Sequence, residues 1–146
     1  MAAPQAALLI MPSIAIGLVI GLYEALLIHR DVSIPLHRFG HMLHALVIAM
    51  AAVFINMNVP FVLALVPALK SVPVIAWNPE LVIRSIVALI MLFKIHASSS
   101  VLKGSGMSSA GTAETWTHSL VVAALVVAAP YVYPFIAPGL PAWMQR

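Results

Sequence analysis

Four long apolar stretches, separated by polar or proline-rich breaks, divide the chain. They cover residues 6–28, 39–59, 81–97 and 116–136. A bilayer core about 30 Å thick requires roughly 20 apolar residues per helix, so each stretch is close to the length of one span. The apolar runs are continuous rather than alternating, which favours helices over barrel strands. The pattern predicts an all-α integral membrane protein, residues 1–146 forming one domain of four transmembrane helices in an up-down antiparallel bundle.

Prolines and asparagines interrupt this pattern in two places. The second stretch is broken at Asn56, Asn58 and Pro60, and a further apolar piece, residues 61–69, follows. Proline removes an intrahelical hydrogen bond and crowds the preceding turn. This piece is therefore either a kinked continuation of the second helix or a segment lying in the membrane interface. Pro130 predicts a kink in the fourth helix near its end.

The third helix has a clear start signal. Asn78, Pro79 and Glu80 are an N-cap residue, a proline at the first helical position and an acid placed against the helix dipole. Glu80 and Arg84 are one turn apart, which predicts an ion pair at the membrane interface rather than an isolated intramembrane charge.

Composition supports membrane insertion and excludes several other classes. Hydrophobic residues make up 63% of the chain and charged residues 8%, with a mean hydropathy of +1.09. A soluble domain of this size has neither the core nor the surface to accommodate so many apolar residues. The chain has no cysteine, which excludes disulfides and thiolate metal sites. Its net charge of +3 comes from a few bases at helix ends, so we expect no nucleic-acid partner.

The positions of the bases predict the orientation, because cytoplasmic loops retain Lys and Arg. In the predicted up-down bundle, one side of the membrane carries Arg30, Arg38, Lys94 and Lys103, and the opposite side carries Lys70, Arg84 and Arg146. Four bases against three place the first and third connections in the cytoplasm and both termini outside. The first stretch has no basic leader and contains an acid, so we expect a retained helix rather than a cleaved signal.

Histidines gather at one end of the predicted bundle. His37, His41 and His44 are four and three residues apart, so they form one stripe on the second helix. Gly40 beside them would permit close approach of a neighbouring helix. Imidazole is a ligand for several transition metals. The candidate metal ligands are His37, His41, His44, His96 and His118. The alternative is that these amphipathic rings simply lie among lipid headgroups.

Glu24 lies inside the first apolar stretch, where a carboxylate is costly unless it is protonated or paired. A histidine of the second helix, or Lys94, is its expected partner. The candidate proton or ion site therefore comprises Glu24, His37, His41, His44 and Lys94. A haem would need axial histidines on two helices, for which His44 with His118 or His96 is the candidate pair.

Three functional hypotheses follow. The first is a non-enzymatic accessory or structural subunit of a larger membrane complex, for example an oxidoreductase, packed against other membrane subunits or further copies of itself. The second is a proton, ion or metal transporter or channel that uses the one-sided His/Glu cluster. The third is a redox subunit that binds haem or a transition metal. We expect no catalytic activity from the chain on its own.

Overall fold

The computed structural model describes residues 8–31, 35–104 and 116–145; within these ranges the side chains of residues 27–31, 35–39, 41 and 98–104 are not described. All secondary structure in these ranges is helical. The α-helices are α1 (Ile10–Asp31), α2 (Pro35–Met57), α3 (Val59–Leu65), α4 (Pro73–Trp77), α5 (Pro79–Gly104) and α6 (Trp116–Ile136). Short 3-10 turns cover Pro67–Ser71, Ala137–Gly139 and Ala142–Met144.

Helices α1 and α2 form a closely packed antiparallel pair whose contact depends on two glycines of α1. A Cβ atom added to Gly17 would lie 2.6 Å from the Cα of Met50, and one added to Gly21 would lie 2.9 Å from the Cα of Leu46. The two backbones therefore approach at Gly17 and Gly21, in the manner of a GxxxG motif. At Gly40, by contrast, no described atom lies within 4 Å of an added Cβ, so the described residues give no close helix contact there.

Helices α5 and α6 form a second antiparallel pair, and α2 contacts both of them. The residues buried between the four long helices are mostly small and β-branched, which lets the helices pack at short distances. The fully enclosed members of this core are Ala49, Val53, Val122 and Val126. Helix α1 also contacts α6, and Glu24 of α1 lies against His118 of α6.

The chain turns sharply at Asn58. The axis of Met42–Met57 and that of Val59–Leu65 differ by 90°, and Asn58 has non-helical dihedral angles, φ −121° and ψ 39°. The apolar piece after α2 is therefore a separate helix across its end. Val59, Leu63 and Ile75 pack there with Ile83 of α5 in a second small core.

Helix α5 begins as the sequence predicts. Its first residue is Pro79, and the Asn78 side-chain Oδ1 accepts a hydrogen bond from the backbone N–H of Leu81 at 3.1 Å. The predicted ion pair is confirmed, with Arg84 Nη2 2.9 Å from Glu80 Oε2.

Helix α6 has the predicted bounds and runs through Pro130 and Pro134. Together with the following turn, as Trp116–Gly139, it is long and apolar enough to cross a membrane, and only 22% of its most apolar window is buried. Among the described residues, Met42–Met57 and Val59–Leu65 are long and apolar enough to cross a membrane only when taken together, and the chain bends by 90° between them. Ile10–Leu26 is a shorter apolar helix.

Candidate functional site

Among the described residues, the most deeply buried ionisable contact joins α1 to α6. Glu24 of α1 is 5% exposed, and its Oε2 lies 2.7 Å from Nε2 of His118 in the first turn of α6. The side chain of His118 is 12% exposed. Withdrawn from solvent, the carboxylate requires a partner, and the imidazole supplies it.

Among the described side chains, the partner of Glu24 is His118, which the sequence analysis did not select for it. Contacts of Glu24 with His37 or His41 of α2 fall outside the described residues. Lys94 of α5 is still close enough to interact electrostatically with Glu24. The Tyr23 ring lies 6.1 Å from the His118 ring, centroid to centroid. The site therefore draws on α1, α5 and α6.

A buried hydroxyl lies next to this pair in the chain. Ser119 is fully buried, and within the described part of the chain its Oγ has no hydrogen-bond partner.

His96 is used in aromatic packing between α5 and α6. Its ring stacks on that of Trp116, with centroids 3.7 Å apart and planes 15° apart. Phe93 packs edge-on against the same indole at 6.4 Å.

Three more of the predicted site histidines lie on α2. Helix α2 includes the backbone of His37, His41 and His44, as the sequence predicts. The side chain of His44 is exposed, and those of His37 and His41 lie outside the described set. In the searched residues, which include His44, His96 and His118, no group of three His, Asp or Glu side chains is placed to hold a metal ion.

A second polar cluster lies toward the other end of the bundle, centred on Asn56 of α2. This residue is fully buried, and its Nδ2 donates a 3.1 Å hydrogen bond to the carbonyl oxygen of Val126 in α6. That carbonyl is available because the residue four positions later is Pro130, which has no N–H to donate to it. The amide therefore uses a hydrogen-bonding position that proline leaves open.

The backbone carbonyl of Asn56 also lies four residues before a proline and accepts a side-chain hydrogen bond. Pro60 lies four residues later and has no N–H for the Asn56 carbonyl, which instead accepts a 3.3 Å hydrogen bond from Arg84 Nε. Arg84 Nη1 also donates to the Tyr131 hydroxyl at 3.0 Å. Asn56 and Arg84 thus join α2, α5 and α6.

A third polar contact fixes the start of α1. The Asn58 side-chain Oδ1 accepts a 2.7 Å hydrogen bond from the Leu9 N–H, and its Nδ2 donates to Ser13 Oγ at 3.1 Å and to Phe54 O at 2.9 Å. Ser13 Oγ in turn donates to Leu9 O. This asparagine holds α1 against the break between α2 and α3.

Two of these features have a signal in the sequence. Gly17 and Gly21 have the GxxxG spacing. Pro60 and Pro130 each identify an unsatisfied carbonyl four residues earlier, at Asn56 and Val126. The role of Ser13 had no comparable signal, because it depends on how α1 meets α2.

Comparison of the chain with known protein families, with curated protein sequences and with solved structures finds no match.

Proposed function

We propose that the chain is a multi-pass membrane protein with four membrane-embedded helices, and that it serves as a non-catalytic accessory subunit of a larger membrane complex. The observation that carries this proposal is the use of its buried polar side chains. Glu24 binds His118, Asn56 binds the Val126 carbonyl and Asn58 binds the Leu9 backbone. Each contact ties one helix to another, as expected of a structural bundle.

The outer surface of the bundle supports four spans. Each long helix presents large apolar side chains that are at least half exposed, a surface that would aggregate in water but is well solvated by lipid tails. Examples are Val19 and Leu26 on α1, Leu43 and Val47 on α2, Ile90 and Phe93 on α5, and Leu120 and Phe135 on α6. The most exposed of these side chains are those of Phe135 (87%) and Val19 (68%).

Site-directed cross-linking in native membranes tests the accessory role, and the cysteine-free sequence makes it direct. Single cysteines replace Leu26, Leu43, Ile90 and Phe135, one on each long helix, and carry a photoactivatable maleimide. A subunit packed against a partner gives a discrete adduct from one or two neighbouring helices, while the remaining positions label lipid. Lipid adducts alone from all four positions, with a chain that then purifies by itself, contradict the proposal.

A proton-binding role is the second candidate, favoured by the Glu24–His118 pair with Lys94 nearby. Purified protein in liposomes is tested for proton uptake with the wild type, Glu24→Gln and the exposed-site control His44→Gln. Flux above that of empty liposomes that is lost only in Glu24→Gln establishes transport and displaces the accessory role. An absorption spectrum and elemental analysis of the same preparation test the haem and metal hypothesis.

A further inference from the structure

Helices α1 and α6 are in contact at Glu24 and His118, and they also line a half-open apolar cavity of about 330 Å³. Its two walls are the N-terminal half of α1 and the C-terminal half of α6, and small residues widen it. Those small residues are Ala15, Ala128 and Ala129.

The C-terminal tail closes one end of this cavity. Leu140 and Met144 belong to the lining, and the turn Ala142–Met144 contacts α1. The Tyr133 hydroxyl, at the cavity wall, donates a 2.9 Å hydrogen bond to the Gln145 carbonyl. The hydroxyl is therefore already used within the chain, and the lining offers a ligand apolar contacts only.

The size of the cavity limits what it can hold. An apolar cavity of about 150 Å³ accommodates one benzene ring, so about 330 Å³ has room for roughly a dozen carbon atoms. Along α6 the lining extends from Leu125 to Ile136. At a rise of about 1.5 Å per residue this is about 16 Å, or half of a bilayer core about 30 Å thick.

We propose that this cavity binds one hydrocarbon chain of a membrane lipid. The volume, the length of a single leaflet and the apolar lining all fit an extended acyl chain running alongside α6. A second protein does not fit as the occupant, because the exposed lining is a small fraction of the about 800 Å² per partner that a stable interface buries. The site is independent of the accessory role, and needs only that α6 lies in the membrane.

The test compares two substitutions one turn apart on α6. Ala128→Phe places a ring in the cavity, whereas Ala124→Phe adds the same ring at an exposed position outside it. Each protein is delipidated in detergent, offered dimyristoyl phosphatidylcholine or free myristate, and weighed by native mass spectrometry. We expect one bound molecule per chain for wild type and Ala124→Phe, and at least a tenfold loss of occupancy for Ala128→Phe.

The two probes distinguish a phospholipid from a free fatty acid as the source of the hydrocarbon chain. Retention of the phospholipid, or of myristate alone, supports the site and identifies its ligand. Ala15→Phe, from the opposite wall, repeats the block if Ala128→Phe fails to fold, as judged by circular dichroism. The proposal is overturned if the delipidated wild type binds neither probe saturably, if Ala128→Phe and Ala124→Phe bind equally, or if wild type is a dimer that Ala128→Phe dissociates.

Discussion

Two backbone carbonyls that lie four residues before a proline accept hydrogen bonds from polar side chains. Pro130 has no N–H to donate to the Val126 carbonyl, which accepts a bond from Asn56 Nδ2. Pro60 likewise has none for the Asn56 carbonyl, which accepts a bond from Arg84 Nε. In lipid an unsatisfied backbone carbonyl is expensive, so the proline and its polar partner act as a unit. A residue that disturbs one helix is thereby used to bind another.

A double-mutant cycle tests this pairing. We expect Asn56→Ala to reduce the free energy of unfolding by about 1–2 kcal/mol, because the Val126 carbonyl is left without a partner. In a Pro130→Ala background the new N–H serves that carbonyl, and the cost of Asn56→Ala falls, giving a coupling of about 1 kcal/mol. Denaturation in detergent, followed by circular dichroism, measures the cycle.

Pro134→Ala is the matched control for this cycle, because it restores a bond to a carbonyl that Asn56 does not contact. The full cost of Asn56→Ala should persist in that background. Equal costs in the Pro130→Ala and Pro134→Ala backgrounds would mean that the proline does not create the acceptor site.

The Glu24–His118 contact gives the second residue-scale prediction. His118→Ala leaves a buried carboxylate without its partner, and we expect a loss of about 3 kcal/mol in the free energy of unfolding. Adding Glu24→Gln removes the charge and should recover part of this loss. His44→Ala, at an exposed histidine, should change stability by less than about 0.5 kcal/mol. A loss at His44 as large as that at His118 would refute the assignment.

At the scale of elements, the α1–α2 pair depends on glycine rather than on large side chains. Gly17→Ala and Gly21→Ala each place a Cβ within 3 Å of the facing backbone, so the helices must separate. We expect each to destabilise the protein by about 1–3 kcal/mol. Gly40→Ala meets no described atom and should stabilise its helix by up to about 1 kcal/mol. Thermal unfolding of the three variants measures this, and equal shifts for all three would contradict the packing.

The sequence predicts the elements best where the signal is local. The start of α5 at Pro79 and both ends of α6 agree with the structure because caps, prolines and apolar runs act over a few residues. The sequence does not determine the direction of the chain after Asn58. That direction depends on the packing of Leu63 and Ile75 against Ile83, a long-range contact with no local signal.

At the scale of the molecule, the sequence predicts how deep along the bundle each polar residue lies, but it does not predict how each helix is rotated about its own axis. The apolar pattern and hairpin order place Glu24 and His118 at a similar depth, and the cost of a buried acid requires a partner. Which side chain faces Glu24 depends on how α1 and α6 turn toward each other. That rotation follows from the glycine contact with α2 and from the Asn58 clamp on Leu9, which hairpin threading ignores.

The final prediction concerns the number of spans. In a four-span protein Ser71 and Gly139 lie on one side of the membrane, and Ser33 and Ser108, in the first and third connections of the sequence, lie on the other. Single-cysteine variants at these positions, in the naturally cysteine-free chain, are exposed to a membrane-impermeant maleimide before and after permeabilisation. The basic residues predict that Ser71→Cys and Gly139→Cys react from outside, and that the other two react only after permeabilisation.

Each alternative topology places a different set of the four cysteine positions on the same side of the membrane. If α6 alone crosses the membrane, Ser33, Ser71 and Ser108 react together and Gly139 stands apart. If α5 and α6 cross but α1 and α2 lie on one side, Ser33 reacts with Ser71 and Gly139, against Ser108. Reversed labelling with the same two pairs would keep the four spans and reject only the orientation, because four bases against three is a small charge difference and the number of spans rests on helix length and outward apolar surface.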